Sequence, residues 1–206
     1  MITIIDYGVG NLHSIKNMLK KIGTEAIISS LPADIDSAEK LILPGVGAFD
    51  YGMQQIQESG FLGNLRQKVI QNKTPLLGVC LGAQLLLEGS AEGMPVPGLG
   101  WIKGKVVKFD QGRIPGNFKI PHMGWNDVQL KKESRLFYGM YPDQRFYFVH
   151  SYHMACAEEE DVLAESNYSY NFVSAVERGN VLGVQFHPEK SHKFGMKLYE
   201  NFIKYY

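Results

Sequence analysis

The sequence of 206 residues lacks the features of a secreted, membrane-bound or nucleic-acid-binding protein. Its two cysteines, Cys80 and Cys156, are too few for a disulfide framework, so we expect free thiols in a reducing compartment. Lysine plus arginine number 21, as do aspartate plus glutamate, so no positive excess favours nucleic acid or anionic membranes. Because neither a leader with a cleavage site nor a membrane-length apolar run occurs, we expect a cytoplasmic protein.

The sequence also lacks internal repeats, low-complexity tracts and charged blocks, so nothing in it marks a linker between domains. Hydrophobic residues make up 45% of the chain and charged residues only 20%, which is enough apolar material for a sizeable core. We therefore expect one continuous domain over residues 1–206.

Strand and helix patterns alternate in the N-terminal half, and β-type stretches follow after residue 98. The predicted strands are 2–5, 25–29, 40–43, 75–79, 105–109, 125–130, 145–149, 172–176 and 181–186. The predicted helices are 12–22, 61–71 and a C-terminal helix with Phe194, Leu198 and Phe202 on its core-facing side. This order predicts an α/β fold: a mostly parallel central sheet with helices on both faces, plus an antiparallel or mixed strand extension in the C-terminal half.

A candidate nucleophile lies in Gly78-Val79-Cys80-Leu81-Gly82, directly after a predicted strand. A nucleophile on a sharp strand-to-helix turn has strained backbone, and flanking glycines remove Cβ atoms that would clash there. The start of the following helix, predicted within the apolar stretch 81–87, also favours the thiolate form of Cys80. The alternative is a buried structural cysteine, and Cys156, which has no such setting, is interpreted as a core or edge residue.

Six histidines compete to be the base that such a cysteine needs. His187 ends the apolar run 181–186, and Glu189 follows two residues later, on the same side of an extended chain. Pro188 favours that extended geometry, so we expect Glu189 to orient the imidazole of His187. His150 is the main rival, but it has no nearby carboxylate and is expected to line the pocket.

Neither a metal site nor a nucleotide site is indicated by the sequence. The series His150, His153 and Cys156 would send successive side chains to opposite faces of a strand. The turn 6–11 lacks the third glycine of the dinucleotide motif, and no phosphate-loop motif occurs. We therefore expect no metal and no cofactor.

A second glycine turn, residues 44–49, follows another predicted strand. Ligand sites in open α/β sheets gather at the carboxyl ends of strands, where Cys80 and His187 also fall. Backbone N–H groups of this turn, such as that of Val46, are expected to join that of Leu81 in an oxyanion hole. An ordinary glycine turn is the alternative interpretation.

The cysteine turn and the downstream His187-Pro188-Glu189 together resemble the class I, or triad, glutamine amidotransferases. The resemblance extends from end to end and is closest to the glutaminase subunits of imidazole glycerol phosphate synthase. The segments that carry it are Ile5-Asp6-Tyr7-Gly8-Val9-Gly10-Asn11-Leu12, Pro44-Gly45-Val46-Gly47-Ala48-Phe49, Pro121-His122-Met123-Gly124-Trp125-Asn126, Val149-His150-Ser151-Tyr152 and Gln185-Phe186-His187-Pro188-Glu189-Lys190-Ser191.

The resemblance implies a reaction and a partner. Cys80 would attack the side-chain amide of glutamine, His187 would protonate departing ammonia, and water would hydrolyse the glutamyl thioester to glutamate. The residues implied to hold the amino-acid end of glutamine are Gly47, Gln84, Ser151 and Tyr152. Ammonia would pass to a cyclase subunit with a (β/α)8 barrel, in a heterodimer that makes imidazole glycerol phosphate and an aminoimidazole carboxamide ribotide in histidine biosynthesis.

The surface that faces this partner should be formed by loops at the carboxyl ends of strands, because ammonia is released there. Loops 8–11 and 121–126 meet this requirement, and we expect Asn11, Trp125 and Asn126 to contact the cyclase. Trp125 could instead be a core residue. Three functions stay open: an amidotransferase subunit of this or another ammonia-using synthase, a free-standing cysteine hydrolase of the same fold, and an inactive binding or regulatory subunit.

Overall fold

A mixed sheet flanked by helices forms this structure, a computed structural model that describes residues 1–114, 116 and 118–206. The strands are β1 (Ile2–Ile5), β2 (Ala26–Ser29), β3 (Lys40–Leu43), β4 (Leu76–Val79), β5 (Gly89–Ser90), β6 (Gly104–Lys108), β7 (His122–Asp127), β8 (Gln129–Leu130), β9 (Arg145–His150), β10 (Tyr152–Cys156), β11 (Val162–Tyr168), β12 (Tyr170–Arg178) and β13 (Val181–Val184). The α-helices are α1 (Leu12–Lys21), α2 (Pro32–Ser37), α3 (Phe49–Glu58), α4 (Leu62–Arg66), α5 (Leu81–Gln84) and α6 (His192–Tyr205). In the described residues no helix is long and apolar enough to span a bilayer.

The centre of the sheet is parallel, as predicted. Its order is β2-β1-β3-β4-β13, and each of these neighbouring pairs is parallel. Crossover helices connect parallel strands, so both faces of such a sheet become buried. The alternating apolar runs of the N-terminal half therefore gave the correct sheet type.

The two faces of the parallel sheet bury separate hydrophobic cores. Ile2 and Ile4 of β1 point into one core together with apolar residues of α1 and α6, whereas Ile5 points into the other with residues of α3 and α4. This alternation follows from the two-residue period of a strand. The predicted stripe of α6 is confirmed, since its residues are at most 3% exposed; they are Phe194, Leu198 and Phe202.

Antiparallel strands extend the sheet beyond β13 in the order β12, β10, β6, and β5 then pairs with β6 in parallel. Strand β11 pairs with β12 and with β8, while β7 and β9 form a separate antiparallel pair. This is the predicted C-terminal extension. The end of β9 and the start of β10 lie beside residues that follow the carboxyl ends of β3 and β4.

Several elements of the structure differ from those predicted. Residues 121–126, expected as a loop, lie mostly in β7, because six consecutive residues of β7 pair with β9. Helices α2 and α3 and strands β5, β10 and β11 were not predicted. Only Ser151 separates β9 from β10, so the sequence shows no turn signal between them.

Candidate active site

The ends of three neighbouring parallel strands place the candidate catalytic groups side by side. Leu43 at the end of β3 pairs with Gly78 of β4, and Val79 pairs with Val184 of β13. The N–H of Cys80 then donates to the Val184 carbonyl at 2.8 Å. The turn after β3, the cysteine after β4 and the histidine after β13 therefore meet at one edge, as parallel sheets favour.

Cys80 has the strained backbone that the sequence predicts. Its φ of 54° and ψ of −109° lie in a region that residues with a side chain rarely adopt. A Cβ on Gly78 would lie 2.8 Å from the nitrogen of Ala83, and one on Gly82 would overlap the Leu43 carbonyl oxygen. Glycine at both positions therefore permits the tight turn that raises Cys80 above the sheet.

The helix after Cys80 is shorter than the apolar stretch 81–87 suggests. Helix α5 has four residues, and the chain then leaves it in a turn. A helix this short has only a small macrodipole, so the thiolate gains little from it. The N–H of Leu81 still lies in a first helical turn, where it has no partner within the helix, and Leu81 lines the same cavity as Cys80.

His187 and Glu189 are joined by a hydrogen bond. The Nδ1 of His187 lies 2.8 Å from Oε1 of Glu189, and each side chain is 2% exposed. Since a carboxylate only accepts, Nδ1–H is the donor. The Nε2 of His187 has no hydrogen-bond partner among the described residues. The backbone between the two residues is not extended as expected, because Pro188–Lys190 form a single 3-10 turn.

The charge state of His187 follows from its surroundings. Burial lowers the pKa of its imidazole, but a negative charge on Cys80 and the Glu189 carboxylate raise it, and the net pKa is about 10. The protonated imidazole is therefore favoured when the sulfur of Cys80 is a thiolate. Such a pair supplies both a nucleophile and a proton donor.

A cavity of about 220 Å³ opens over the cysteine. It is lined by Cys80 and His187 and by every residue predicted to bind the substrate or the oxyanion, namely Val46, Gly47, Leu81, Gln84, Ser151 and Tyr152. Glu189 lies behind the imidazole. The structure therefore gathers these predicted residues around one small space.

The turn that carries Val46 is seated against the cysteine turn. The hydroxyl of Tyr7 donates to the Pro44 carbonyl, and burial raises the pKa of Tyr7, which keeps the hydroxyl protonated. A Cβ on Gly45 would lie 2.9 Å from the nitrogen of Gly82, so glycine allows this close approach. This packing places Val46 at the cavity that holds Cys80.

Glu92 is a lining residue that the sequence analysis missed. Its carboxylate accepts a hydrogen bond from the N–H of Phe49 at 3.1 Å, and its side chain borders the cavity. Burial raises the pKa of Glu92, the Phe49 N–H lowers it and the nearby Asp50 charge raises it. Glu92 follows the two-residue strand β5 and belongs to none of the motifs, so the sequence contained no signal for it.

Gln84 lies within the wall of the cavity, where it is 5% exposed. Its Nε2 donates to the carbonyl oxygen of Tyr152 at 3.0 Å and to Oε1 of Gln185 at 3.1 Å. Both N–H bonds of the Gln84 amide therefore have acceptors inside the protein. Its Oε1 is the atom left to meet a ligand.

His150, the rival base, is held in a chain of neutral histidines. Its Nδ1 donates to the Tyr152 carbonyl at 2.8 Å, and its Nε2 lies 3.0 Å from Nδ1 of His122. Burial lowers the pKa of both imidazoles, to about 4 for His122. In the described part of the chain, no group of three or more His, Cys, Asp or Glu residues could hold a metal ion.

The residues expected to meet a partner differ in exposure. Trp125 is 43% exposed and stacks on His192 with ring centres 5.6 Å apart, so the core interpretation of this tryptophan is wrong. Asn11 is exposed, whereas Asn126 is half-buried and its Nδ2 donates to the Asn167 carbonyl at 2.8 Å. Much of the hydrogen-bonding capacity of Asn126 is therefore used within the chain.

Cys156, the second thiol, sits in a different environment. It is half-buried, and burial together with the charge of Asp161 raises its pKa to about 12. A thiol with so high a pKa is almost entirely protonated at neutral pH and reacts slowly. The interpretation of Cys156 as a packing residue agrees with this environment.

Comparison with known proteins identifies the family to which the chain is similar. The model of the family described as glutamine amidotransferase class-I matches residues 3–205. Imidazole glycerol phosphate synthase subunit HisH 2 of Methanococcus maripaludis is 54% identical over 204 residues and covers 99% of both chains. The protein of the same name from Pseudomonas aeruginosa is 50% identical, again over 99% of both chains.

Solved structures show the same fold at lower identity. A crystal structure described as a glutamine amidotransferase superposes with a TM-score of 0.73 at 22% identity, covering 99% of this chain and 98% of that one. PurLQS from Thermotoga maritima gives a TM-score of 0.73 at 18% identity, covering 99% and 97%. The arrangement of parallel sheet and antiparallel extension is therefore shared with these structures.

Proposed function

The chain belongs to the class I glutamine amidotransferases, among the HisH subunits of imidazole glycerol phosphate synthase, and from this membership we propose how its residues act. Its function is that of the glutaminase subunit of this synthase in histidine biosynthesis. We propose that residues 1–206 form one glutaminase domain and that Cys80, His187 and Glu189 are its catalytic triad. The cavity over Cys80 is the proposed glutamine site.

The first half of the proposed reaction forms a thioester. The Cys80 thiolate attacks the side-chain amide carbon of glutamine, and the amide oxygen becomes an oxyanion. The N–H groups of Val46 and Leu81 stabilise this oxygen, each donor contributing roughly 3 kcal/mol in the transition state. Protonated His187 then gives its Nε2 proton to the departing nitrogen, and ammonia leaves. The buried Nε2 of His187, which has the Cys80 sulfur as its neighbour and no nitrogen or oxygen partner among the described residues, supports this assignment.

The second half releases glutamate. Neutral His187 takes a proton from water, the resulting hydroxide attacks the thioester carbon, and the Cys80 thiolate leaves. This returns the site to its starting charge state. Glu189 holds the imidazole in the tautomer that presents Nε2 to the cavity and stabilises it when it is charged.

The amino-acid end of glutamine carries both charges of the substrate and needs partners for each. We propose that the Glu92 carboxylate receives the α-ammonium group, because it is the acidic side chain bordering the cavity that is not part of the triad. Gly47, Ser151 and Tyr152 offer polar groups for the α-carboxylate, and Oε1 of Gln84 can accept from the ammonium.

The proposed partner is a cyclase subunit with a (β/α)8 barrel, bound in a heterodimer in the cytoplasm. The exposed Trp125 supports a nearby docking face, because it pairs across β7 and β9 with Tyr147. The Tyr147 carbonyl in turn accepts from the N–H of His187 at 2.9 Å. A partner seated on Trp125 would lie close to the site that releases ammonia, and Asn11 and Asn126 are proposed to flank it.

The observation that carries the proposal is the strained Cys80 facing a cavity with the His187–Glu189 pair. Synthesis of imidazole glycerol phosphate by the complex with the cyclase tests it, with either glutamine or ammonium salts as nitrogen source. Cys80→Ser should remove synthesis from glutamine and leave synthesis from ammonium salts, since the cyclase needs only ammonia. Cys156→Ser is the matched control and should leave both. Retention of more than a few per cent of the glutamine-dependent rate in Cys80→Ser would exclude Cys80 as the nucleophile.

A further inference from the structure

A buried glutamine lies directly beside the proposed nucleophile and has no role in the mechanism above. Gln185 is fully buried, and its Nε2 lies 3.9 Å from the Sγ of Cys80, within the range of an N–H to sulfur hydrogen bond. Its Oε1 accepts from Gln84 at 3.1 Å. Buried amides are retained only where their donors and acceptors are satisfied, so these contacts need an explanation.

The neighbours of Gln185 determine which way its amide faces. Gln84 donates to the Tyr152 carbonyl, and because a carbonyl can only accept, the Gln84 NH2 must face that side. The same NH2 group meets Oε1 of Gln185. Reversing the Gln185 amide would put two NH2 groups against each other and a carbonyl oxygen against Cys80. The observed orientation is therefore the one in which Gln185 presents N–H to the sulfur.

We infer that Gln185 is a positioning residue that holds the Cys80 sulfur as a thiolate before glutamine arrives, and that Gln84 fixes its orientation. The inference rests on the proposed function, in which Cys80 is the nucleophile. A hydrogen bond to a charged acceptor is stronger than one to its neutral form, so an N–H donor favours the thiolate over the thiol. The short helix α5 contributes little to this stabilisation, which leaves it to the groups beside the sulfur, the protonated His187 and the N–H of Gln185.

The inference also gives Gln84 two functions. Its Oε1 meets the substrate, whereas its Nε2 holds Gln185 in place with no substrate present. The two functions separate experimentally, because only the second affects the reactivity of Cys80 in the empty site. If Gln84 served only to bind glutamine, its replacement would leave the reactivity of the Cys80 thiol unchanged.

The test measures alkylation of Cys80 by iodoacetamide as a function of pH, in the full-length chain without glutamine or cyclase. A Cys156→Ser background leaves Cys80 as the only thiol. Gln185→Met removes the donor with little change in side-chain volume, and Gln84→Met removes its orienting contact. Far-UV circular dichroism and thermal unfolding check that each variant is folded.

We expect Gln185→Met to move the pH midpoint of alkylation upward by about one pH unit, the size of one charge-assisted hydrogen bond, and so to slow alkylation by about tenfold at pH values below that midpoint. Gln84→Met should slow it by a smaller factor in the same direction. If Gln185 only filled space, its replacement by methionine would leave the pH profile of alkylation unchanged. An unchanged profile in a folded Gln185→Met variant overturns the inference, and if that variant does not fold, an unchanged profile in Gln84→Met does so. The synthesis assay with Cys80→Ser tests the proposed function separately, so the two can fail independently.

Discussion

Replacement of Gly82 by alanine tests the packing that places the cysteine turn. A Cβ at this position would overlap the carbonyl oxygen of Leu43 and lie 2.8 Å from its carbonyl carbon. Ordinary carbon contacts are about 3.5 Å, so the two segments must separate by roughly 1 Å. Neither is free to move, because Leu43 belongs to β3 and pairs with Gly78 of β4. Relief of the overlap must shift the turn that carries Cys80 and Leu81.

The size of the effect follows from two separate terms. Overpacking of a rigid site costs about 1–3 kcal/mol of the free energy of unfolding. For a chain of this size, each 1 kcal/mol lowers the melting temperature by about 2–4 °C, so we expect a loss of about 5 °C. A shift of the Leu81 N–H away from the oxyanion also removes up to roughly 3 kcal/mol of transition-state stabilisation, or about 100-fold in rate.

Gly63→Ala is the matched control. Gly63 lies in α4, a Cβ there would have no neighbour within 4 Å, and its backbone is helical. Alanine is more favourable than glycine inside a helix by up to about 1 kcal/mol, so this variant should be as stable as the original chain or slightly more stable. Thermal unfolding and glutaminase assays with the cyclase measure both effects. A Gly82→Ala variant with unchanged melting temperature and rate would refute the role given to the close approach.

Three further predictions concern the triad, the buried histidines and the partner face. His187→Ala should slow glutamine hydrolysis at least about 100-fold, since ammonia would leave without a proton donor, and Glu189→Gln should slow it by a smaller factor. Steady-state assays with the cyclase measure both rates, and the reverse order would contradict these roles. Stability should fall as pH drops from about 6.5 to about 4, by up to about 3 kcal/mol from His122, because burial lowers its pKa to about 4 and only the unfolded chain takes up its proton in this range. Urea unfolding across this range checks the slope, which should be smaller in His122→Phe; an equal slope would argue against this origin. Trp125→Ala or Asn11→Ala should weaken binding of the cyclase, measured by titration calorimetry, or the stimulation of glutaminase activity by the cyclase. The circular dichroism spectrum should stay unchanged. Normal affinity and stimulation in both variants would exclude this face.

Local chemistry explains what the sequence predicted well. The strained turn at Cys80 follows from glycines two residues to either side, because a Cβ added to either glycine would meet neighbouring backbone. The contact between His187 and Glu189 joins residues two apart, so chain connectivity alone keeps them near each other. The parallel sheet follows from apolar runs separated by helical patterns. These features depend on a few consecutive residues, and their periods and spacings are visible in the chain.

Features that join distant residues were decided by the tertiary structure. Glu92 reaches the cavity because its carboxylate is held by the N–H of Phe49, 43 positions away. Gln185 faces Cys80 across 105 positions, and its amide orientation is set by Gln84, itself fixed by the backbone of another strand. No local spacing encodes such contacts, since they arise only when neighbouring strands align in register.

Exposure was the other property that the sequence left open. Trp125 fits a core or a surface equally well as a residue type, and its exposed position was decided by β7, whose only strand partner in the described residues is β9. A residue of a two-stranded pair is buried on a given face only when another element covers that face. The sequence by itself therefore determined which groups could carry the chemistry, and the tertiary structure decided which of them meet, because burial and contact depend on what packs across each surface.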